Sequence, residues 1–550
     1  MSDKQIHKVL AEAFIAEGVD RVYTLMGDAN MHWSIALAKR GVQLIHARHE
    51  HSAVAMADGY ARFTNNVGVA SVTCGPGYTQ IATALTVAVR NGTPMIVFAG
   101  DTPFGEPFHN QHFEQAPLAA ATGAAFVSLR NVNLLLHDLR QAFYIARHER
   151  KPVVVSVPLD LQLDDFPWAA DYEPSISLIP KRQRVHPDPD IVAEAVAMIA
   201  EAGKPMIIAG RGAIHAKEQL EDLAEKSGAL LATTLCAKGL FDGNPFNAGL
   251  AGAFAHNTAR EFFSESDLII GVGAGLGYYT TEGGYLYPNA RVIQIDLQPK
   301  GLWQGLKVAD LHIVADAATG VSALTTAIAQ AGAAKPRYRS SPVQQALVDP
   351  IIDPKEYQAA ANTVDPRRAM ETLDAAIPKD WNLVTGTAHF FNWVTHLKGR
   401  PAERYFITHA FGAIGQGLPS AIGIATAPNA GNTVLIEGDG SFLMHIQELE
   451  VLARQKIKLL VLIFNDGAYS AETHKLAGQG YDPAESVFGR PDLASIAKGF
   501  GLASATVRSL GELRESIARH LANPISTVID IHIDGNIPSI QYRRLFFGEA

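Results

Sequence analysis

Short runs of β-branched and apolar residues recur along this chain with helical stretches between them, and no other feature restricts the fold so strongly. They fall into three groups. The first is RVYTLMG (21–27), VGVASVT (67–73), MIVFAG (95–100) and PVVVSVP (152–158). The second is PMIIAG (205–210), ALLATT (229–234), LIIGVG (268–273) and RVIQID (291–296). The third is NLVTG (382–386), TVLIEG (433–438), LLVLIF (459–464) and TVIDIHI (527–533). A strand with one wet face alternates apolar and polar residues. These runs are apolar almost throughout, so both faces must be covered, which calls for parallel sheets with helices on either side. Segments with Pro and Asp at 162–192 and 334–366 break the rhythm and read as linkers. At 550 residues the chain exceeds a single core. The expectation is an α/β protein of three doubly wound parallel-sheet domains, 1–180, 190–335 and 360–550. No letter-by-letter repetition relates the first unit to the third, so any likeness between them has to lie in the fold.

Composition narrows the partners. A net charge of −9 supplies neither a basic footprint for nucleic acid nor a polybasic segment for an anionic membrane. Cys74 and Cys236 are too few and too far apart for a disulfide framework or a zinc site, and read as small buried apolar residues in a reducing cytoplasm. The start, MSDKQIHKVLAEAFIAEGV, has the pattern of an amphipathic helix rather than of a signal peptide. No run of 18 apolar residues is present to span a membrane. A cytoplasmic protein is expected.

The chemistry concentrates in TVLIEGDGSFLMHIQELEVLARQKIKLLVLIFNDGAY, 433–469. An apolar strand runs into Gly438, Asp439, Gly440 and Ser441. A helix should follow, with Ile446, Leu449 and Ala453 on one face, and a second strand ends at Asn465, Asp466 and Gly467. Strand, Gly-rich turn and helix aim backbone N–H groups at a phosphate. The turn also holds a carboxylate, which repels a phosphate unless a cation lies between them. Mg²⁺ suits that place, since it takes hard oxygen ligands and bridges carboxylate to phosphate. Asp466, ending the neighbouring strand, offers the second oxygen. Either motif alone is an ordinary tight turn. Their connection through one helix and one strand is what favours a site.

GDGS followed by NDGAY resembles the diphosphate-binding motif of thiamine diphosphate enzymes. In that family the second metal ligand, usually Asn, stands 27 positions after the motif Asp, and here that position is Asp466. The resemblance implies a third ligand in the backbone carbonyl of Ala468, with Tyr469 beside it. RHEHSAVAMADGYAR (48–62) matches the family's first-domain pattern and marks Glu50 as the glutamate that activates the cofactor. A carboxyl on the aminopyrimidine ring favours its imino tautomer, which removes the thiazolium proton. By the same resemblance Gly75 and Pro76 of TCGPGYTQ lie near the pyrimidine. Ala388 and His389 of TGTAHFFNW touch the diphosphate, and Ile414 wedges beneath the bent cofactor. The domains are then pyrimidine-binding, central and diphosphate-binding. Glu50 and Asp439 meet across a subunit interface, so a homodimer or homotetramer is expected.

The overall style is acetolactate synthase-like. The resemblance implies a 2-oxo acid decarboxylase or carboligase, whose enamine passes to a proton or to an aldehyde or ketone acceptor. LMGDANMHW places Asp28 like the GDYN segment of pyruvate decarboxylases, and FHNQHFEQ offers His109, Gln111 and His112 on the substrate side. Glu472, six residues after Asp466, falls where decarboxylases carry a glutamate. A carboxylate there raises the energy of the bound substrate acid, and a protonated acid or His returns the proton. Asp28, Glu472, His112 and Gln111 are the candidates, with His32, Cys74 and His474 as pocket lining. Oxidation with FAD, or acyl-CoA chemistry, are alternatives within the family. GVGAGLG (271–277) is compatible with a flavin, but such turns are common, and no basic cluster for a CoA phosphate is evident. An NAD-type dehydrogenase with Asp296 on the ribose, or an inactive binding scaffold, would leave Glu50 and the 433–469 segment unexplained.

Overall fold

The computed structural model describes residues 4–168, 171–180, 183–299, 309–332 and 338–549. Parts of both expected linkers, 169–170, 181–182 and 334–337, and the first three residues lie outside the described residues.

Among the described residues, eighteen strands form three six-stranded sheets, parallel throughout in their pairing. The first sheet comprises β1 (Arg21–Thr24), β2 (Gln43–His46), β3 (Gly68–Val72), β4 (Met95–Asp101), β5 (Ala125–Ser128) and β6 (Pro152–Pro158). The second comprises β7 (Pro205–Ala209), β8 (Leu230–Thr233), β9 (Asn247–Leu250), β10 (Leu268–Val272), β11 (Arg291–Ile295) and β12 (Leu311–Ile313). The third comprises β13 (Asn382–Thr385), β14 (Tyr405–Ile407), β15 (Thr433–Gly438), β16 (Leu460–Asn465), β17 (Ala503–Val507) and β18 (Thr527–His532).

The twelve apolar runs are all strands, and all are interior. The six strands without such a run are β2, β5, β9, β12, β14 and β17, the two edges of each sheet. An edge strand has a neighbour on one side only and is partly wet. β5 and β2 are half-buried or open along most of their length, whereas β3, β4 and β6 are buried at every residue.

Numbered from its own first strand, the first sheet has the order 2-1-3-4-6-5, and so has the third. The likeness absent from the letters is present in the topology. The central sheet instead runs 6-5-4-1-2-3, the doubly wound order whose switch point lies between β7 and β10.

The outer domains are fused. Helix Glu50–Thr64 packs on helix Gly417–Ala425, and one apolar cluster runs from Met56 and Leu85 to Leu418 and Ile422. The backbones touch: a Cβ on Gly59 would lie 2.2 Å from the Ser420 carbonyl oxygen, and one on Gly423 1.9 Å from that of Met56. Tyr23 donates its hydroxyl across the seam to the Gly423 carbonyl (3.1 Å). The central domain keeps its own core, and Tyr338 and Leu347 pack into it from the segment that follows.

One local expectation is corrected. Ile446, Leu449 and Ala453 do not share an unbroken helix. Helix Asp439–Met444 stops at His445, which has φ −134° and ψ 30°, before a 3-10 turn Ile446–Glu448 and helix Leu449–Gln455. The His445 ring turns inward there to stack on His51 at 4.4 Å. Among the described residues no helix is long and apolar enough to cross a membrane.

Candidate active site

The ends of β13, β15 and β16 are adjacent, because their strands pair in register in the third sheet. The turns that leave them therefore converge. Asp439 opens a helix directly from β15 and is buried, accepting the N–H of Gly440 (2.9 Å) and of Gly467 (2.7 Å). Asp466 leaves β16, accepting the N–H of Ala468 (3.3 Å) and the Ser470 hydroxyl. Burial pushes both carboxyls above the ordinary aspartate range, and for Asp439 the negative charge of Asp466 adds to it. Two buried carboxylates that repel each other are relieved by a proton or by a cation. Two side-chain oxygens with the Ala468 carbonyl fit a hard divalent ion that keeps phosphate or water as its other ligands. Gly438 and Gly440 admit no side chain, since a Cβ would meet Phe390 at 2.8 Å and the Tyr469 ring at 2.8 Å. Ser441 accepts the N–H of Gly415 (2.7 Å), which ties the turn to Ile414.

These groups line one cavity of about 670 Å³, together with Ala388, His389, Ile414, Ala468, Tyr469 and Glu472. His389 is buried. Its Nε2 accepts the N–H of Ser539 (3.0 Å), and its ring lies 4.4 Å from His474 and 4.7 Å from Tyr542. Glu472 is open to solvent and paired with Lys475 at 3.2 Å. Glu437, beneath the turn, is a carboxyl that sequence reading passed over inside an apolar strand. It fills the space left by Gly386 and Gly417, where a Cβ would lie 1.7 Å from its oxygens, and burial pushes it up to about 8.

The first-domain candidates form a separate group. Glu50 begins helix Glu50–Thr64, capped by the His49 ring, and its carboxyl faces Gly77, 3.4 Å from where a Cβ would stand. Gly75 has φ +53° and lies against the Gln111 carbonyl, where a Cβ would approach to 2.5 Å. Pro76 starts the next helical turn, and Cys74 Sγ donates to Gln111 Oε1 at 3.2 Å. Asp28 is open on the turn after β1. Asn30 is a structural residue of that turn, accepting the Gly27 N–H (2.7 Å) and donating to Ser71 Oγ (2.9 Å). His112 is exposed, within 3.3 Å of Thr102 Oγ1 and 3.5 Å of Glu114. Among the described residues, none of this group lines the cavity of Asp439. Glu50 is not among the residues that line the cavity of the carboxylate pair in its own chain.

Between the two groups lies a seam that the sequence did not announce. Gln416 donates to His51 Nε2 (2.6 Å), His445 lies 3.3 Å from Ser52 Oγ, and Glu448 accepts the Arg48 N–H (3.1 Å). Burial holds His51 near 3 and His445 near 4, so both rings are neutral, and lifts Glu448 to about 7.

In the central domain, the Gly273 N–H of GVGAGLG donates to the Ile295 carbonyl (2.9 Å), and the helix that follows, Tyr278–Thr281, is a single turn. A second cavity of about 780 Å³ opens where the three domains meet, lined by Arg62, Arg150, Arg211 and Arg404. Cys236 is half-buried in its wall rather than in a core, while Cys74 is buried.

Three family models match in order: the thiamine pyrophosphate enzyme N-terminal TPP binding domain at residues 4–122, the central domain at 192–324 and the C-terminal TPP binding domain at 386–531. Among similar curated proteins, acetolactate synthase 2, chloroplastic, of Nicotiana tabacum is 27% identical over 96% of this chain and 83% of its own length. The acetolactate synthase large subunit of Parasynechococcus marenigrum is 29% identical over 95% and 86%. A probable acetolactate synthase large subunit of Methanocaldococcus jannaschii is 26% identical over 96% and 91%. With three sheets, two of them alike, and three domain models covering more than half of its residues, the chain belongs to the thiamine pyrophosphate enzyme family and is an acetolactate synthase-like enzyme that makes or breaks carbon–carbon bonds.

Proposed function

We propose that the chain is a thiamine diphosphate- and Mg²⁺-dependent 2-oxo acid decarboxylase or carboligase. The observation that carries this reading is the buried Asp439–Asp466 pair under a Gly-rich turn. It opens into a cavity to which the first domain contributes no described residue.

Asp439, Asp466 and the Ala468 carbonyl hold the metal. Gly438, Gly440, Ser441, Ala388 and His389 would shape the diphosphate cradle, and Ile414, in the same wall, would contact the cofactor. Glu50 comes from a neighbouring copy, since it does not line the cavity of its own chain. It keeps a proton at the pyrimidine nitrogen and so sets the tautomer. When bound, the cofactor supplies a carbon nucleophile and an electron sink. Glu472, at the open side, disfavours the substrate carboxylate relative to the uncharged state left by loss of CO₂. Asp28 and His112 of the neighbouring copy, carried with Glu50, would deliver protons beside it, and Gln111 would orient the substrate. The acceptor is a proton or a second carbonyl compound. The arginine-lined cavity at the domain junction favours a phosphate-bearing nucleotide or flavin as an additional bound group.

The test uses protein stripped of small molecules by chelation and dialysis. CO₂ release from a panel of 2-oxo acids should need both thiamine diphosphate and a divalent cation, with acyloin appearing when an aldehyde is added. Full turnover with either one left out would refute the reading.

A further inference from the structure

The cavity extends beyond the carboxylate pair. Its wall there includes Phe254 and Tyr279 of the central domain with Tyr542, Leu545 and Phe546 of the C-terminal helix Ile540–Phe547, and the polar Asn392 and Gln541 stand among them. That helix is fastened at every side. Ser539 caps it, accepting the Tyr542 N–H (3.4 Å), and donates its own N–H to His389 in the cradle. Arg543 pairs with Asp353 (2.7 Å), both side chains being 2% exposed, and with Glu549 (2.7 Å). Arg544 donates to the Ala255 carbonyl (2.9 Å), one residue past Phe254. Gly478 ends the helix that carries Glu472, and a Cβ there would lie 2.6 Å from the Phe546 carbonyl oxygen. Gly252, with φ +77°, brings the Phe254 loop so close to Tyr279 that a Cβ would stand 2.0 Å from its carbonyl.

A wall locked this firmly presents large apolar groups to open space. Tyr279 is 74% exposed and Leu545 64% exposed, although both line the cavity. Its charge offers little to an anion. Among the described lining residues the one Lys or Arg is Lys475, already paired with Glu472, and burial keeps His389 neutral. Beyond the metal site, a further phosphate or a second carboxylate would find no unpaired Lys or Arg on this chain's wall, whereas an apolar substituent would cover the exposed rings.

We propose that this wall is the donor pocket, and that the preferred donor is a 2-oxo acid with a branched or aromatic side chain rather than the methyl group of pyruvate. The inference rests on the decarboxylase or carboligase reading and names its substrate class. Each methylene placed in an apolar pocket changes selectivity by roughly 10-fold or more.

The holoenzyme is assayed with pyruvate, 4-methyl-2-oxopentanoate and phenylpyruvate. The ratio of kcat/KM for either large donor to that for pyruvate should be at least about 10, and Leu545→Trp should cut that ratio at least about 10-fold. Leu545 is exposed, so this variant keeps the fold, which thermal unfolding verifies. A wild-type preference for pyruvate, or a ratio unmoved by Leu545→Trp, overturns the proposal. Should no 2-oxo acid turn over, the reaction class falls, and the pocket is read by calorimetry with methyl acetylphosphonate and methyl phenylacetylphosphonate, which cannot lose CO₂. Tighter binding of the phenyl compound, weakened by Leu545→Trp, supports the pocket. Equal binding overturns it.

Discussion

Asp439 and Asp466 are each ordinary in sequence and unusual in place. The 27-residue spacing made them a pair, but their burial follows from where β15 and β16 end, side by side. The raised pKa values give a pH signature for the metal-free protein. An aspartate that titrates above its ordinary 3.8 keeps a proton in the folded state that the unfolded chain has released. Native protein then binds more protons than unfolded protein, so stability falls as pH rises from about 4 through the raised native values. A cation that takes the proton's place cancels the fall. Thermal unfolding between about pH 5 and about pH 8 should show a decline without metal that saturating Mg²⁺ lessens, Glu437 and Glu448 keeping the remainder, and Asp439→Asn should make the decline shallower and weaken Mg²⁺ at least about 100-fold. A flat profile in the wild type would contradict the coupling. Glu437 teaches the opposite lesson. Nothing in TVLIEG sets a buried carboxyl apart from a strand-end residue, because its surroundings come from Gly386 and Gly417, far away in sequence.

Among elements, interior strands were legible and edge strands were not, for one reason. β4 and β16 are covered on both faces and flanked on both sides, so nearly every position is apolar. β17 is half-buried over most of its length, and its ASATV carries no such imprint. Helices were legible where they bury one stripe, as in Ile6–Ala16, but the break at His445 depends on a ring of the first domain. The helix seam between the outer domains depends on glycines. In an isolated helix Gly→Ala gains about 1 kcal/mol. At Gly423 the new methyl would meet the Met56 carbonyl, and the clash outweighs the propensity. Gly423→Ala should cost about 3 kcal/mol in denaturant unfolding. Gly499, whose Cβ would enter open space, should tolerate Ala within about 0.5 kcal/mol. Equal effects at the two positions would remove the seam from the account.

At the scale of the whole molecule, the first and third domains share a strand order, yet their candidate residues do not meet within the chain. Two copies, each lending Glu50 to the other's cavity, would complete two sites. Subunit mixing tests this directly. Glu50→Gln and Asp439→Asn should each be inactive alone. Dissociated and re-associated together in equal amounts, half of the dimers are mixed and each holds one intact site, so about a quarter of wild-type activity should return. No recovery in verified mixed dimers would place each site inside one chain. The division of labour between sequence and fold is now plain. The turns of 433–469 by themselves pointed to a cation between carboxylate and phosphate, because each demands particular atoms at short, local spacings, and the resemblance of 48–62 and 438–469 to thiamine diphosphate enzymes pointed to the cofactor. The parallel-sheet class was equally local, written in runs buried on both faces. Only the tertiary structure decided that Glu437 is buried beneath the turn and that a C-terminal helix walls the cavity. Those contacts join residues outside any local pattern, and which backbones touch is settled by packing.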